Sequence, residues 1–137
     1  MIHRLSPVRP SKLKVDFLSG RYGSYMMNDP VKIGCSAVLS GHEEIHGKAI
    51  VQAVSLAVDQ ANRKGLVKGG LELIVGDDRD ERGAAADVAR RFISDKKTLG
   101  IVGPMNSNAV FAATPLYQNA EMVHISPAAS NPELTCM

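Results

Sequence analysis

The stretch Val31-Lys32-Ile33-Gly34-Cys35-Ser36-Ala37-Val38-Leu39-Ser40-Gly41 decides the fold. Its apolar residues first alternate and then run together until Ser40-Gly41 breaks the pattern, which reads as a buried strand. Downstream, Ala49/Ile50, Ala53/Val54, Ala57/Val58 and Ala61 recur at the i, i+3, i+4 spacing. That predicts an amphipathic helix over 47–64, stopped by Gly65. Leu71-Glu72-Leu73-Ile74-Val75 reads as a second strand ending at Gly76, Asp77 and Asp78. A second helix is predicted from about Glu81 to Asp95, with Ala85, Val88, Ala89, Phe92 and Ile93 on one side and Asp80 placed to cap it. Leu99 to Gly103 gives a third strand, Ser107 to about Asn119 a third helix, and Met122 to Ile125 a fourth strand. Pro115 predicts a kink or an end of the third helix near Thr114. A polar, proline-punctuated loop is expected from Ser126 to Thr135.

Strands that alternate with helices give an α/β protein, a three-layer, Rossmann-like parallel sheet covered on both faces. Ligands of such sheets collect at the loops leaving the strands' C-terminal ends. The length of 137 residues fits one domain with a tail, and 45% apolar with 22% charged residues is globular in composition. With no Trp and six Tyr and Phe, the core is aliphatic and rich in alanine. The net charge of +2 is too small to indicate a nucleic-acid partner. It is also uneven: Arg4, Arg9, Lys12, Lys14 and Arg21 outweigh Asp16 and Asp29, so residues 1–30 form a basic tail, expected to be poorly ordered. No apolar stretch there resembles a secretory signal, and none in the chain approaches a membrane span.

His42-Glu43-Glu44-Ile45-His46 matches H-E-x-x-H, in which two histidines one helical turn apart hold zinc and the glutamate polarises the bound water. That chemistry needs a helix through the motif, whereas Ser40-Gly41 and Gly47 place it where a strand turns into a helix. The zinc-peptidase reading therefore ranks below a polar loop with exposed imidazoles. Asp77-Asp78-Arg79-Asp80-Glu81 could attract a cation, but an EF-hand frame puts Arg82 and Ala89 where oxygen ligands are required. A solvated loop leading into a capped helix is preferred. Neither G-x-G-x-x-G nor G-x-x-x-x-G-K-[ST] is present, and Cys35 reads as a small core residue.

The ends of the third and fourth strands carry more. Gly103-Pro104-Met105-Asn106-Ser107-Asn108 leads into a helix, so Ser107 and nearby N–H groups face whatever lies above the sheet. Ser126-Pro127-Ala128-Ala129-Ser130-Asn131-Pro132 adds a hydroxyl and several carbonyls. Donors from one loop and acceptors from the other suit an α-carboxylate beside an α-ammonium. The alternative, that both serines cap backbone groups, stands beside it.

From Val31 onward the chain resembles the branched-chain amino-acid-binding proteins, the leucine/isoleucine/valine type of solute-binding component of ABC importers. The resemblance rests on Val31-Lys32-Ile33-Gly34, Leu39-Ser40-Gly41, the helix followed by Gly65-Leu66-Val67-Lys68-Gly69, Asp77-Asp78 and Ile101-Val102-Gly103. Above all it rests on Ile125-Ser126-Pro127-Ala128-Ala129-Ser130-Asn131-Pro132-Glu133-Leu134-Thr135.

The resemblance implies the N-terminal lobe of a type I periplasmic binding protein over residues 31–137, a non-enzymatic receptor that closes two lobes on an amino acid or related small polar ligand. By the same resemblance Ser107 receives the ligand carboxylate, Ser130 adds its hydroxyl and amide, and the Ala128 carbonyl meets the ammonium. Asn106 belongs to the same ligand-side loop, and His46 falls where many members place an aromatic wall. Asp80 and Asn106 stand where some members carry a disulfide-bonded cysteine pair. The resemblance implies a membrane permease as partner, a periplasmic or extracytoplasmic location, and neither cofactor nor metal. The second lobe does not follow Cys136-Met137, so the expectation is a truncated product or a fragment, prone to self-association. A cytoplasmic or receptor-linked sensor of the same fold is the alternative.

Overall fold

A computed structural model of the chain describes residues 29–136. Most of the expected basic tail, residues 1–28, lies outside the described residues. Four strands, β1 (Val31–Ala37), β2 (Leu71–Asp77), β3 (Thr98–Val102) and β4 (Val123–Ile125), alternate with three helices, α1 (Glu44–Arg63), α2 (Arg82–Ser94) and α3 (Ser107–Asn119). All strand pairs are parallel, in the order β2-β1-β3-β4. The predicted parallel α/β sheet is what the chain forms.

Several boundaries differ from expectation, each for a local reason. β1 ends at Ala37 because the Leu39 N–H turns away to Asp77 Oδ1, 2.8 Å distant. α1 starts at Glu44, earlier than expected, with the His46 and Gly47 N–H groups both bonded to the Glu43 carbonyl. It closes in a Schellman turn: Gly65 takes φ +61°, the Leu66 N–H reaches the Ala61 carbonyl and the Gly65 N–H that of Asn62.

Asp80 does not cap α2. Its φ is +54°, its N–H bonds Asp78 Oδ1, and Glu81 is the N-cap without a side-chain bond. Pro115 does not end α3, which continues to Asn119. Fully buried Tyr117 lies beyond the proline, and its packing outweighs the one backbone bond that proline removes. The last loop holds a short 3-10 turn, Pro132–Cys136.

α2 and α3 pack on one face of the sheet over Val88, Ala89, Phe92, Ile101, Ala113, Tyr117 and Met122. Gly34 in β1 makes room for Phe92 and Ile101, whose atoms occupy the space a Cβ would need. On the other face α1 covers the β2–β1 half, completing three layers. Beside it runs an apolar groove of about 420 Å³, lined by Ile33, Ile50, Val54, Leu71, Val102 and Pro127 among others. Val123 and Ile125 on β4 are 67% and 65% exposed; they pair with Gly100 and Val102, on the same side of the sheet as that groove.

Candidate ligand-binding site

β1 lies between β2 and β3, so the chain leaves β1 for a helix on one face and leaves β3 for a helix on the other. In open α/β sheets the backbone parts at such a point, and the crevice above the strand ends is where ligands bind. Gly103 holds the two strands close at this point. Its φ is +105°, and a Cβ on it would fall inside the Ser36 carbonyl. The Gly103 N–H donates to the Ile125 carbonyl at 2.8 Å, tying the end of β3 to that of β4.

The β1 side of the crevice is shaped by two aspartates. Asp77 accepts from the Leu39 N–H (2.8 Å), the Ser40 hydroxyl (2.7 Å) and the Arg79 N–H (3.0 Å). Burial works against its charge, but the Leu39, Ser40 and Arg79 donors hold its carboxyl below the usual range. Asp78 is fully buried and accepts from the Ser36 hydroxyl at 2.7 Å. Burial nevertheless raises its pKa, the Ser36 and Asp80 donors offsetting part of the effect. The two carboxylates thus hold backbone N–H groups and the hydroxyls of Ser36 and Ser40, as fits the expectation of a polar loop leading into a helix. Cys35 is fully buried, and burial, with a smaller contribution from the Asp78 charge, pushes its thiol up to about 11. It is a core residue.

The H-E-x-x-H string straddles the start of α1. His42 precedes the helix, and exposed His46 is 2.8 Å from Glu43 Oε2 through Nδ1. The motif's glutamate is thereby engaged by one of its own histidines, and the two imidazoles do not share a helical face.

On the other side of the crevice, Ser107 is the first residue of α3 and Asn106 its N-cap, without a side-chain cap bond. The first-turn N–H groups therefore face the loops above the sheet. Ser107 does not cap the helix; its Oγ accepts the Asn131 N–H at 3.3 Å. A hydroxyl has one proton and two acceptor sites, so this bond leaves the Ser107 proton available to an outside acceptor. Ala128 and Ser130 are exposed on the loop that Asn131 anchors. The structure thus joins the loop of residues 128–131 to Ser107 through Asn131, and places His46 apart from them, in the first turn of α1.

Two side chains that sequence reading did not single out support this arrangement. Asn108 donates to the Asp80 carbonyl (3.0 Å) and accepts from Arg82 Nε (2.9 Å), joining the start of α3 to the β2–α2 turn. The bridge lies next to the pair Asp80 and Asn106, with Asn108 in place of Asn106. Ser126 donates to the Pro104 carbonyl at 2.7 Å and accepts from the Ala129 N–H at 3.3 Å.

A family model described as a periplasmic binding protein matches residues 30–136, nearly all of the described chain. The chain belongs to the periplasmic binding protein family. Among its relatives in that family, the Leu/Ile/Val-binding protein homolog 2 of Brucella abortus is 29% identical over 106 residues, 77% of this chain and 28% of that protein. The leucine-, isoleucine-, valine-, threonine- and alanine-binding protein of Pseudomonas aeruginosa is 29% identical over 129 residues, 93% of this chain and 34% of that one.

Among solved structures, a branched-chain amino acid transporter substrate-binding protein of Streptococcus pneumoniae, in complex with isoleucine, superposes with a TM-score of 0.73 at 32% identity, covering 79% of this chain and 31% of that one. A solute-binding protein of an ABC transporter from Rhodopseudomonas palustris, in complex with 3,4-dihydroxybenzoic acid, gives 0.66 at 26% identity, covering 78% and 29%. The chain spans about a third of the length of these periplasmic binding proteins. Its fold is that of their type I lobe.

Proposed function

We propose that this chain is a ligand-binding lobe of an amino-acid receptor serving an ABC importer outside the cytoplasm. The reading rests on one observation: Ser107 Oγ accepts the Asn131 N–H at a sheet crevice, so its own proton is free for a carboxylate. Ser107 and the first-turn N–H groups of α3 receive the ligand carboxylate, assisted by the hydroxyl and amide of Ser130. The Ala128 carbonyl accepts from the ammonium, Asn106 borders the carboxylate, and His46 approaches from the first turn of α1. These groups bind and orient; none is arranged to break a bond. A second lobe, of the kind that the remaining two-thirds of the relatives' length provides, buries the ligand and signals to a membrane permease. One lobe by itself binds weakly, since closure supplies much of the contact.

The test is thermal unfolding and NMR titration of the 137-residue chain with leucine, isoleucine and 3,4-dihydroxybenzoate at millimolar concentration. An amino-acid-dependent shift of the Ser107 and Asn131 amides, weakened about tenfold by Ser107→Ala, is expected for a charge-assisted hydrogen bond. Amide spectra unmoved by all three compounds remove the reading's support.

A further inference from the structure

We infer that Ser126 is the positioning residue that sets the register of the two crevice loops, and not itself a ligand contact; this rests on the reading of residues 103–108 and 126–131 as ligand loops. The two hydroxyls facing the crevice are used in opposite ways. The Ser126 proton is given to the Pro104 carbonyl at 2.7 Å, and the same oxygen accepts the Ala129 N–H at 3.3 Å. With its one proton engaged inside the protein, Ser126 has no donor left for a carboxylate. Ser107 accepts the Asn131 N–H and keeps its proton.

The bonds are also sequential in space. Pro104 is fully buried at the head of the α3 loop, so its carbonyl is a fixed point. Ser126 attaches the other loop to that point, and its bond to Ala129 curls the four residues 126–129 into a turn. The turn brings the chain round so that Asn131, two residues on, reaches Ser107, which is 24 residues away in sequence. Removing the Ser126 hydroxyl leaves the Pro104 carbonyl without this donor and the Ala129 N–H without this acceptor, while the helix carrying Ser107 stays where its own core contacts hold it. The predicted result is a loss of alignment between the loops with the lobe intact.

The experiment compares the 137-residue chain with Ser126→Ala, Ser126→Thr and Ser107→Ala. It reads amide hydrogen exchange at Ala129 and Asn131 by NMR, the thermal midpoint without ligand, and a leucine titration. Ser126→Ala is expected to speed exchange at both amides by about tenfold or more and to weaken leucine about tenfold, with Ser126→Thr restoring both. Ser107→Ala is expected to weaken leucine and expose the Asn131 amide while leaving Ala129 protected. Wild-type protection of Asn131 in folded Ser126→Ala overturns the inference, whatever leucine does. A wild-type chain that ignores leucine overturns the receptor reading instead, and the exchange comparison still decides the role of Ser126. Should Ser126→Ala not fold, Ser126→Cys supplies a side chain that is a weak donor and acceptor. Asn131 protection equal to wild type in that variant overturns the inference equally.

Discussion

Replacing Gly103 by alanine should be the most costly single-methyl change in the sheet. Two effects add at this position. The backbone holds φ at +105°, where a side chain costs about 1–3 kcal/mol. The new Cβ also meets the Ser36 carbonyl of β1, and Ser36 is itself fully buried, so relief requires moving β1 and β3 apart. Forcing an atom into a packed core costs a further ~1–3 kcal/mol. The sum is about 4 kcal/mol, a large part of the ~5–15 kcal/mol by which a domain of this size is stable.

Gly65 provides the control. It also has positive φ, at +61°, but nothing lies within 4 Å of an added Cβ, so alanine there should cost about 1–2 kcal/mol. With a urea slope of about 2 kcal/mol per molar, Gly103→Ala should lower the unfolding midpoint by about 2 M and Gly65→Ala by less than about 1 M. Equal losses in the two variants would refute the close-approach argument, leaving only backbone strain common to both.

Three further outcomes follow from other parts of the structure. Burial holds His124 below its ordinary pKa, opposed in part by the Gly103 backbone, so its contribution to stability is present above about pH 6.5 and declines as pH falls from there toward the folded-state value; the difference in urea midpoint between wild type and His124→Gln should shrink between pH 7.5 and 5.5, and a constant difference contradicts it. Phe92 is fully buried against Gly34 and Ile101, so Phe92→Ala should cost about 3–5 kcal/mol in the same melts, with a small loss indicating a core that collapses around the gap. The apolar strip from the α1 groove to Val123 and Ile125 should drive concentration-dependent association; sedimentation of the Val123→Lys, Ile125→Lys double variant should show it reduced, and an unchanged profile would place any association elsewhere.

The order and type of the elements are legible in the sequence because hydrophobic period distinguishes a buried strand from an amphipathic helix. Ser107 as the first residue of α3 is legible for the same reason. The boundaries that are not legible depend on partners far along the chain. β1 stops where Asp77, 38 residues away from Leu39, takes a backbone N–H. Asp80 looks like a cap because its type and position suit one, yet the turn bonded to Asp78 gives it a left-handed backbone and passes the N-cap to Glu81. Pro115 reads as a breaker because sequence shows the lost bond and not the burial of Tyr117 beyond it. In the crevice, two serines in similar polar loops look alike. Their different duties arise from which carbonyl or amide each meets, which no local pattern encodes.

The Asn108 bridge bears on where the lobe can mature. Cys35 and Cys136 are both free thiols, one buried and one exposed, so the described residues carry no covalent cross-link. What fastens the start of α3 to the β2–α2 turn is a pair of hydrogen bonds, from Asn108 to the Asp80 carbonyl and from Arg82 to Asn108. Such a fastening forms without an oxidant and withstands thiol reductants, in contrast to a disulfide, whose persistence depends on the compartment. The geometry around Ser107 is therefore available as soon as the chain folds, in reducing and oxidising surroundings alike.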